Sequence, residues 1–106
     1  MLIHNTTFMM LREREEEFLR WFRAELPALT GTDAGAAPRL SAMRTAGGVS
    51  HSEAEAQSVA FQMEFADRNR LDKWARNSLA DVAARFEERF GPDAVVFTSV
   101  FETLPL

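Results

Sequence analysis

His4 and His51 are the only imidazoles in a chain that has no cysteine and no tyrosine. The lack of cysteine removes disulfides, thiolate metal sites and cysteine nucleophiles. His51, Glu53 and Glu55 alternate along HSEAE and would share one face of an extended segment, so they could offer metal ligands. A usual metal site needs several nitrogen or carboxylate ligands converging, and a solvated acidic loop is the ordinary reading of such a stretch. No Ser-His-Asp order, P-loop, dinucleotide fingerprint or zinc pattern occurs. The residues therefore assign no catalytic group, no metal and no cofactor.

Six side chains remain as ligand-binding candidates: His4, Asn5, Trp21, Arg39, Gln62 and Trp74. Asparagine is depleted in strands, and a buried amide must find hydrogen-bond partners. Asn5 thus either bonds a neighbouring strand or helix one, or orients a ligand carbonyl in a pocket. His4, one residue earlier, is more often a packed histidine than a catalyst. Trp21 and Trp74 lie on two apolar helix seams, where they would pack in the core, each indole N–H seeking an acceptor, or wall a cleft between helices and sheet. Arg39 and Gln62 are polar groups near pocket rims. Arg39 could bind an anion, although a surface arginine is the default.

The elements that must position these residues can be read in order. Residues 2–10 alternate as a strand, with His4, Thr6, Phe8 and Met10 on one face and Ile3, Asn5, Thr7 and Met9 on the other. A helix follows from about Arg12, with Phe18, Trp21, Phe22 and Leu26 at helical spacing and acids in its first turns. Pro27 should end or kink it near Leu26. Residues 30–38 read as a loop, residues 39–45 as a weaker strand, Gly47-Gly48 as a turn and residues 49–56 as a polar loop. Residues 57–65 give the clearest period-two pattern. Asp67 caps a second helix, whose seam is Leu71, Trp74, Ala75, Leu79, Val82, Phe86 and Phe90. Along this helix Asn77-Ser78 weakens the middle, and Asp72 with Arg76 and Asp81 with Arg85 form acid-first pairs. Gly91-Pro92 stops the helix, with Gly91 as a left-handed cap. Residues 93–104 contain a last strand, with Val95, Phe97 and Phe101 on one face and Val96, Val100 and Leu104 on the other.

The order βαββαβ, closed by right-handed crossovers, gives an α+β ferredoxin-like fold: a four-stranded antiparallel sheet with both helices on one face. With 106 residues the chain fits a single domain, 1–106. The last strand is apolar on both faces, and two helices cover only one side of a sheet. The open face is expected to meet a second copy across a two-fold axis, giving a homodimer. Sixteen acids against twelve bases, a net charge of −4, argue against nucleic acid. No apolar run approaches the ~20 residues that span a bilayer, and the N-terminus lacks a basic leader. A soluble, cytoplasmic protein without a membrane partner is expected.

IxNTTF near the start, EEEFLRWF followed by proline, PRL, a Gly-Gly hairpin, SVAFQMEF and RFGPDAVVFTSVFE together resemble a small bacterial family of unknown function in the dimeric α/β-barrel superfamily. The resemblance covers nearly the whole chain and rests mostly on packing residues. Two features depart from it: Met9, Met10 and Leu11 stand where a polar cap usually precedes helix one, and the hairpin after Gly48 is longer. The superfamily includes cofactor-independent monooxygenases, which use asparagine and tryptophan, together with haem-degrading and haem-binding enzymes and ligand-sensing domains. Shared fold transfers none of these activities.

The expectation is a homodimeric module that binds a small apolar or aromatic ligand or interacts with a partner. The alternative is a cofactor-independent monooxygenase acting on an aromatic or polycyclic substrate in the helix–sheet cleft. Haem binding through His4 or His51 ranks third. Without tyrosine, and with two histidines, few acid–base partners are available. A site, if present, is expected where His4 and Asn5 meet helix one.

Overall fold

The computed structural model describes residues 1–31, 35–44 and 56–106. Its elements are β1 (Leu2–Leu11), α1 (Glu15–Thr30), β2 (Ala36–Ala42), β3 (Ala56–Phe65), α2 (Arg68–Trp74), α3 (Ala80–Phe90) and β4 (Val95–Glu102). The Gly47-Gly48 turn, His51 and the rest of the HSEAE segment lie outside the described residues.

The four strands form one antiparallel sheet in the order β2-β3-β1-β4, the expected ferredoxin-like arrangement. β1 is central and pairs along almost its whole length with both neighbours, so its backbone groups are satisfied without water. Directly opposed residues share a face. The register therefore places His4 with Met63 and Val100 on one side, and Asn5 with Gln62 and Ser99 on the other.

The helices cover the first of these sides. Phe8 lies fully buried at its centre, its ring 5.2 Å from Phe18, 5.3 Å from Phe22 and 4.9 Å from Phe86. Burying each such ring contributes roughly 1.5–3 kcal/mol, and tilted or edge-on geometry suits the ring quadrupoles. Val59, Phe61, Met63 and Phe65 complete the layer from β3, and every one is buried. Coverage stops short of the edge strand. Thr98 and Val100 of β4 share a face with Thr6 and His4, yet both remain exposed. No helix among the described residues is long and apolar enough to cross a membrane.

Several local expectations are corrected. Pro27 does not end α1 near Leu26; the helix continues to Thr30. Its last turn is held by packing and by side-chain and backbone hydrogen bonds: Leu29 is fully buried, the Thr30 hydroxyl donates to the Leu26 carbonyl at 2.9 Å, and Gly31 N–H donates to Pro27 O at 2.9 Å. A 3₁₀ turn, Arg12–Arg14, precedes α1, and no side chain caps it.

β2 begins three residues earlier than expected and ends at Ala42 rather than Thr45. It enters through an irregularity between Ala36 and Arg39, where Ala37 takes a positive φ of 50°. Such a bulge hides the strand's period from the sequence.

The second helix is interrupted by a π-helical turn, Ala75–Leu79, at the weak Asn77-Ser78 step. Asp67 caps it as expected, its Oδ1 accepting from Arg70 N–H at 2.8 Å. The charged side chains take other partners than expected. Asp72 pairs back to Arg68 at 3.2 Å, and Arg85 crosses to Glu25 of α1 at 2.6 Å. Gly91 is extended (φ −61°, ψ 165°) rather than left-handed. Its glycine identity follows from close approach instead: a Cβ there would sit 2.6 Å from the Glu87 carbonyl oxygen.

Candidate functional site

Alternation along β1 sends neighbouring residues to opposite faces, so His4 and Asn5 serve two different surfaces. The six candidate side chains accordingly fall into three places. His4 and Trp74 meet under the helices. Asn5, Gln62 and Arg39 form a row across the open face. Trp21 stands apart from both groups.

His4 is 3% exposed and lies edge-on to Trp74, ring centroids 5.1 Å apart at 72°. Trp74 in turn lies 5.1 Å from Phe65 and donates its indole N–H to the Leu29 carbonyl at 2.9 Å. The imidazole Nδ1 and the Thr6 hydroxyl are 3.4 Å apart. Burial pushes the His4 pKa below its ordinary value, and the positive charge of Arg68 lowers it further. The ring is therefore neutral at pH 7, able to accept one proton or hydrogen bond and to donate another. Its ring contact is with Trp74 of α2.

Beside this pair opens a groove of about 510 Å³, lined by Met1, Leu2, Ala66, Asp67, Arg68, Val100 and Glu102. It exists because the helices leave the β4 edge uncovered. Leu2 and Val100 give it an apolar floor, and His4 adjoins both, directly opposite Val100 and two residues along β1 from Leu2. Arg68 and Asp67, at the start of α2, form one polar wall, while Glu102 supplies the other. Asp67 and Arg68 are already engaged by Arg70 and Asp72, at 3.4 and 3.2 Å. Sequence reading missed Arg68. Its position immediately after an N-cap aspartate was the available signal, since the first turn of a helix faces the strand end that precedes it.

On the open face, Asn5 Oδ1 accepts from Gln62 Nε2 at 3.2 Å, and Asn5 Nδ2 donates to the Thr7 hydroxyl at 3.0 Å. The bond to a neighbouring strand is the structural role expected for Asn5, whereas a place in the helix–sheet cleft is ruled out by its face. Arg39 is exposed opposite Gln62, and these two residues edge a small cavity of about 60 Å³ with Ile3, Ala37, Met63 and Glu64. On the same face Val95, Phe97 and Phe101 of β4 are 53%, 47% and 53% exposed.

Trp21 is half-buried against Phe18, Phe22, Phe86 and Phe90, with ring centroids 5.5–6.3 Å away. It seals the end of the core where α1 meets α3. Among the described residues no three His, Asp or Glu side chains gather as a metal site.

A family model described as Domain of unknown function (DUF4286) matches residues 1–104. Comparison with curated proteins gave no match. Among solved structures, the chain is similar to an antibiotic biosynthesis monooxygenase, with 16% identity, a TM-score of 0.65 and coverage of 99% of this chain and 100% of that one. It is similar to SnoaB, a cofactor-independent oxygenase from Streptomyces nogalater, at 8% identity and TM-score 0.63, covering 99% and 95%. MhuD with two manganese protoporphyrin IX bound per active site matches at 13% identity and TM-score 0.61, covering 97% and 95%. At these identities the likeness is one of fold.

Proposed function

The chain belongs to the DUF4286 family of unknown function, and on that premise we propose that it is a homodimeric module that binds a small apolar or aromatic ligand without transforming it. The observation that carries this reading is the groove of about 510 Å³ between α2 and the β1–β4 edge. Its size falls in the range of roughly 300–1,000 Å³ common to small-molecule sites. An apolar floor between polar walls suits a flat ring with a polar substituent. His4, on the same face of the sheet as Leu2 and Val100, is buried and does not line the groove.

The homodimer forms through the open sheet face, where Val95, Phe97 and Phe101 supply an apolar strip. Contiguous exposed apolar surface of this kind marks association.

The experiment is a fluorescence titration of a Trp21→Phe variant, which leaves Trp74 as the reporter next to the groove, with a panel of one- to three-ring aromatic compounds. A saturable change below about 1 mM is expected from at least one compound, and Val100→Phe, which fills part of the groove without adding an indole, weakens or removes it. No saturable change across the panel overturns the reading.

The neutral imidazole of His4 packed on Trp74 favours a second reading, a cofactor-independent monooxygenase. There His4 would take a proton from an acidic polycyclic phenol; one atom of dioxygen would enter the ring as a quinone oxygen and the other leave as water, the phenol losing two hydrogens and supplying all four electrons. Dioxygen uptake with such a phenol, lost in His4→Phe, is its test; absence of uptake in a protein that binds the phenol removes it.

A further inference from the structure

Trp74 stands where three elements meet. It holds the end of α1 through the Leu29 carbonyl, touches β1 through His4, and touches β3 through Phe65. The residue after it begins the π-helical turn Ala75–Leu79. A π turn carries an extra residue relative to α-helical spacing, and such turns are places where a helix bends or changes register. α2, only seven residues long, is thus joined to α3 through the least regular part of the rod. α2 is fastened to the fold by two buried side chains, Leu71 and Trp74, and its first residue, Arg68, walls the groove.

Behind Trp74, His4 sits in a site built for a neutral ring. On its own face of β1 its neighbours are Leu2 and Thr6; across the sheet it faces Met63 of β3 and Val100 of β4. None of these carries a charge; the acid on this face of the sheet is Glu102 of β4, diagonal to His4 across from Leu2 and exposed to solvent. α2 contributes Arg68, of the same sign as a protonated imidazole, with Asp72 tied to Arg68 at 3.2 Å and Asp67 tied to Arg70 at 3.4 Å. A proton added to His4 would place a cation between an apolar floor and an arginine. The nearest relief is outward movement of α2, which separates Arg68 from His4 and lets water reach the ring.

We propose that His4, Trp74 and the π turn form an acid-operated hinge: protonation of His4 loosens Trp74 and lifts α2 from the β1–β4 edge, widening the groove while α3 stays packed. The hinge needs no ligand, so it stands or falls separately from the binding reading.

The test is amide hydrogen exchange on the full-length chain at about pH 7.5 and about pH 5.5, corrected for the intrinsic pH dependence of exchange. In the wild type the amides of residues 70–79 lose protection by about tenfold or more relative to those of residues 82–90, the signature of sub-global opening. In His4→Phe, which keeps an aromatic edge against Trp74 but cannot take a proton, the two segments respond alike; His4→Gln serves if that variant does not fold. Equal loss in both segments of the wild type means global unfolding and overturns the hinge. Selective loss that persists in the variant overturns the role of His4.

Discussion

Asn5 and Gln62 face each other across β1 and β3, the Gln62 amide donating to Asn5 Oδ1 at 3.2 Å on the side of the sheet away from the helices. With Nδ2 given to Thr7, both ends of the Asn5 amide are engaged. Asn5→Leu would leave the Gln62 N–H and the Thr7 hydroxyl without this partner, at a cost of about 1–3 kcal/mol. Urea denaturation reads that loss. Because the groove lies on the other face, the affinity for aromatic ligands should stay within about twofold of wild type. A tenfold loss of affinity in a folded Asn5→Leu protein would return Asn5 to the binding site.

Phe97 and Phe101 project from β4 on the same open face, one on either side of the Asn5 row. A charge in the centre of an apolar interface has no partner there and costs several times what it would at the rim. Phe97→Glu is expected to convert the dimer to a monomer at micromolar concentration by light scattering. The fold should survive, since Phe97 is 47% exposed and lies opposite Thr7 on the face away from the helices. A wild-type protein that already runs at 12.0 kDa would sink the dimer itself.

The fold was legible because period-two and helical spacing are dense in this chain. Residues 57–65 alternate almost without exception, and the Phe18–Phe22 and Phe86–Phe90 seams name both covering helices. Alternation also separated His4 from Asn5. What the spacing could not convey was which helix would stand over His4, because that depends on how far the helices reach across the sheet. The same uncovered edge that creates the groove left Val100 exposed on the core side. Gly91-Pro92 does end the helix at Phe90, but the end expected at Pro27 and the left-handed cap expected at Gly91 fail for a common reason. Local rules describe an isolated helix end, whereas here a buried Leu29 extends one helix and close approach to Glu87 O selects glycine at the end of the other. β2 was displaced because its bulge at Ala37 breaks the alternation that marks a strand.

His4 makes stability depend on pH in a definite window. Its folded-state pKa lies below its ordinary value, through burial and then Arg68, while the unfolded chain retains a value of about 6.5. Between the two, the unfolded state binds more protons. Stability should be constant above about pH 7 and fall as the pH drops below about 6.5. Glu17, whose pKa is also lowered, chiefly by its bond from Arg14, loses its contribution only in the acidic carboxylate range. Among the described groups with a shifted pKa, only His4 titrates between about pH 7.5 and about pH 5.5, so urea midpoints at these two values compare its two protonation states. His4→Phe should flatten the difference, and an unchanged slope in that variant would assign the acid sensitivity elsewhere.

Trp74 and Trp21 are the same residue type on two apolar seams, yet their surroundings differ. Trp74 is 2% exposed and its N–H satisfies the carbonyl of fully buried Leu29, in the last turn of a helix that already contains a proline. Trp74→Phe keeps most of the ring contact with His4 and Phe65 but leaves that carbonyl without its donor, a penalty of about 1–3 kcal/mol in addition to the lost volume. Trp21 is half-buried against aromatic rings at the core's end, so Trp21→Phe removes part of a contact that water can replace. The two variants, compared by urea unfolding at neutral pH, should rank Trp74→Phe as the more destabilised. Exchange of the amides at residues 28–31 should rise in Trp74→Phe alone, because the indole is what ties the end of α1 to α2. Equal losses in both variants, with no change at residues 28–31, would show that the Trp74–Leu29 bond does not carry the joint.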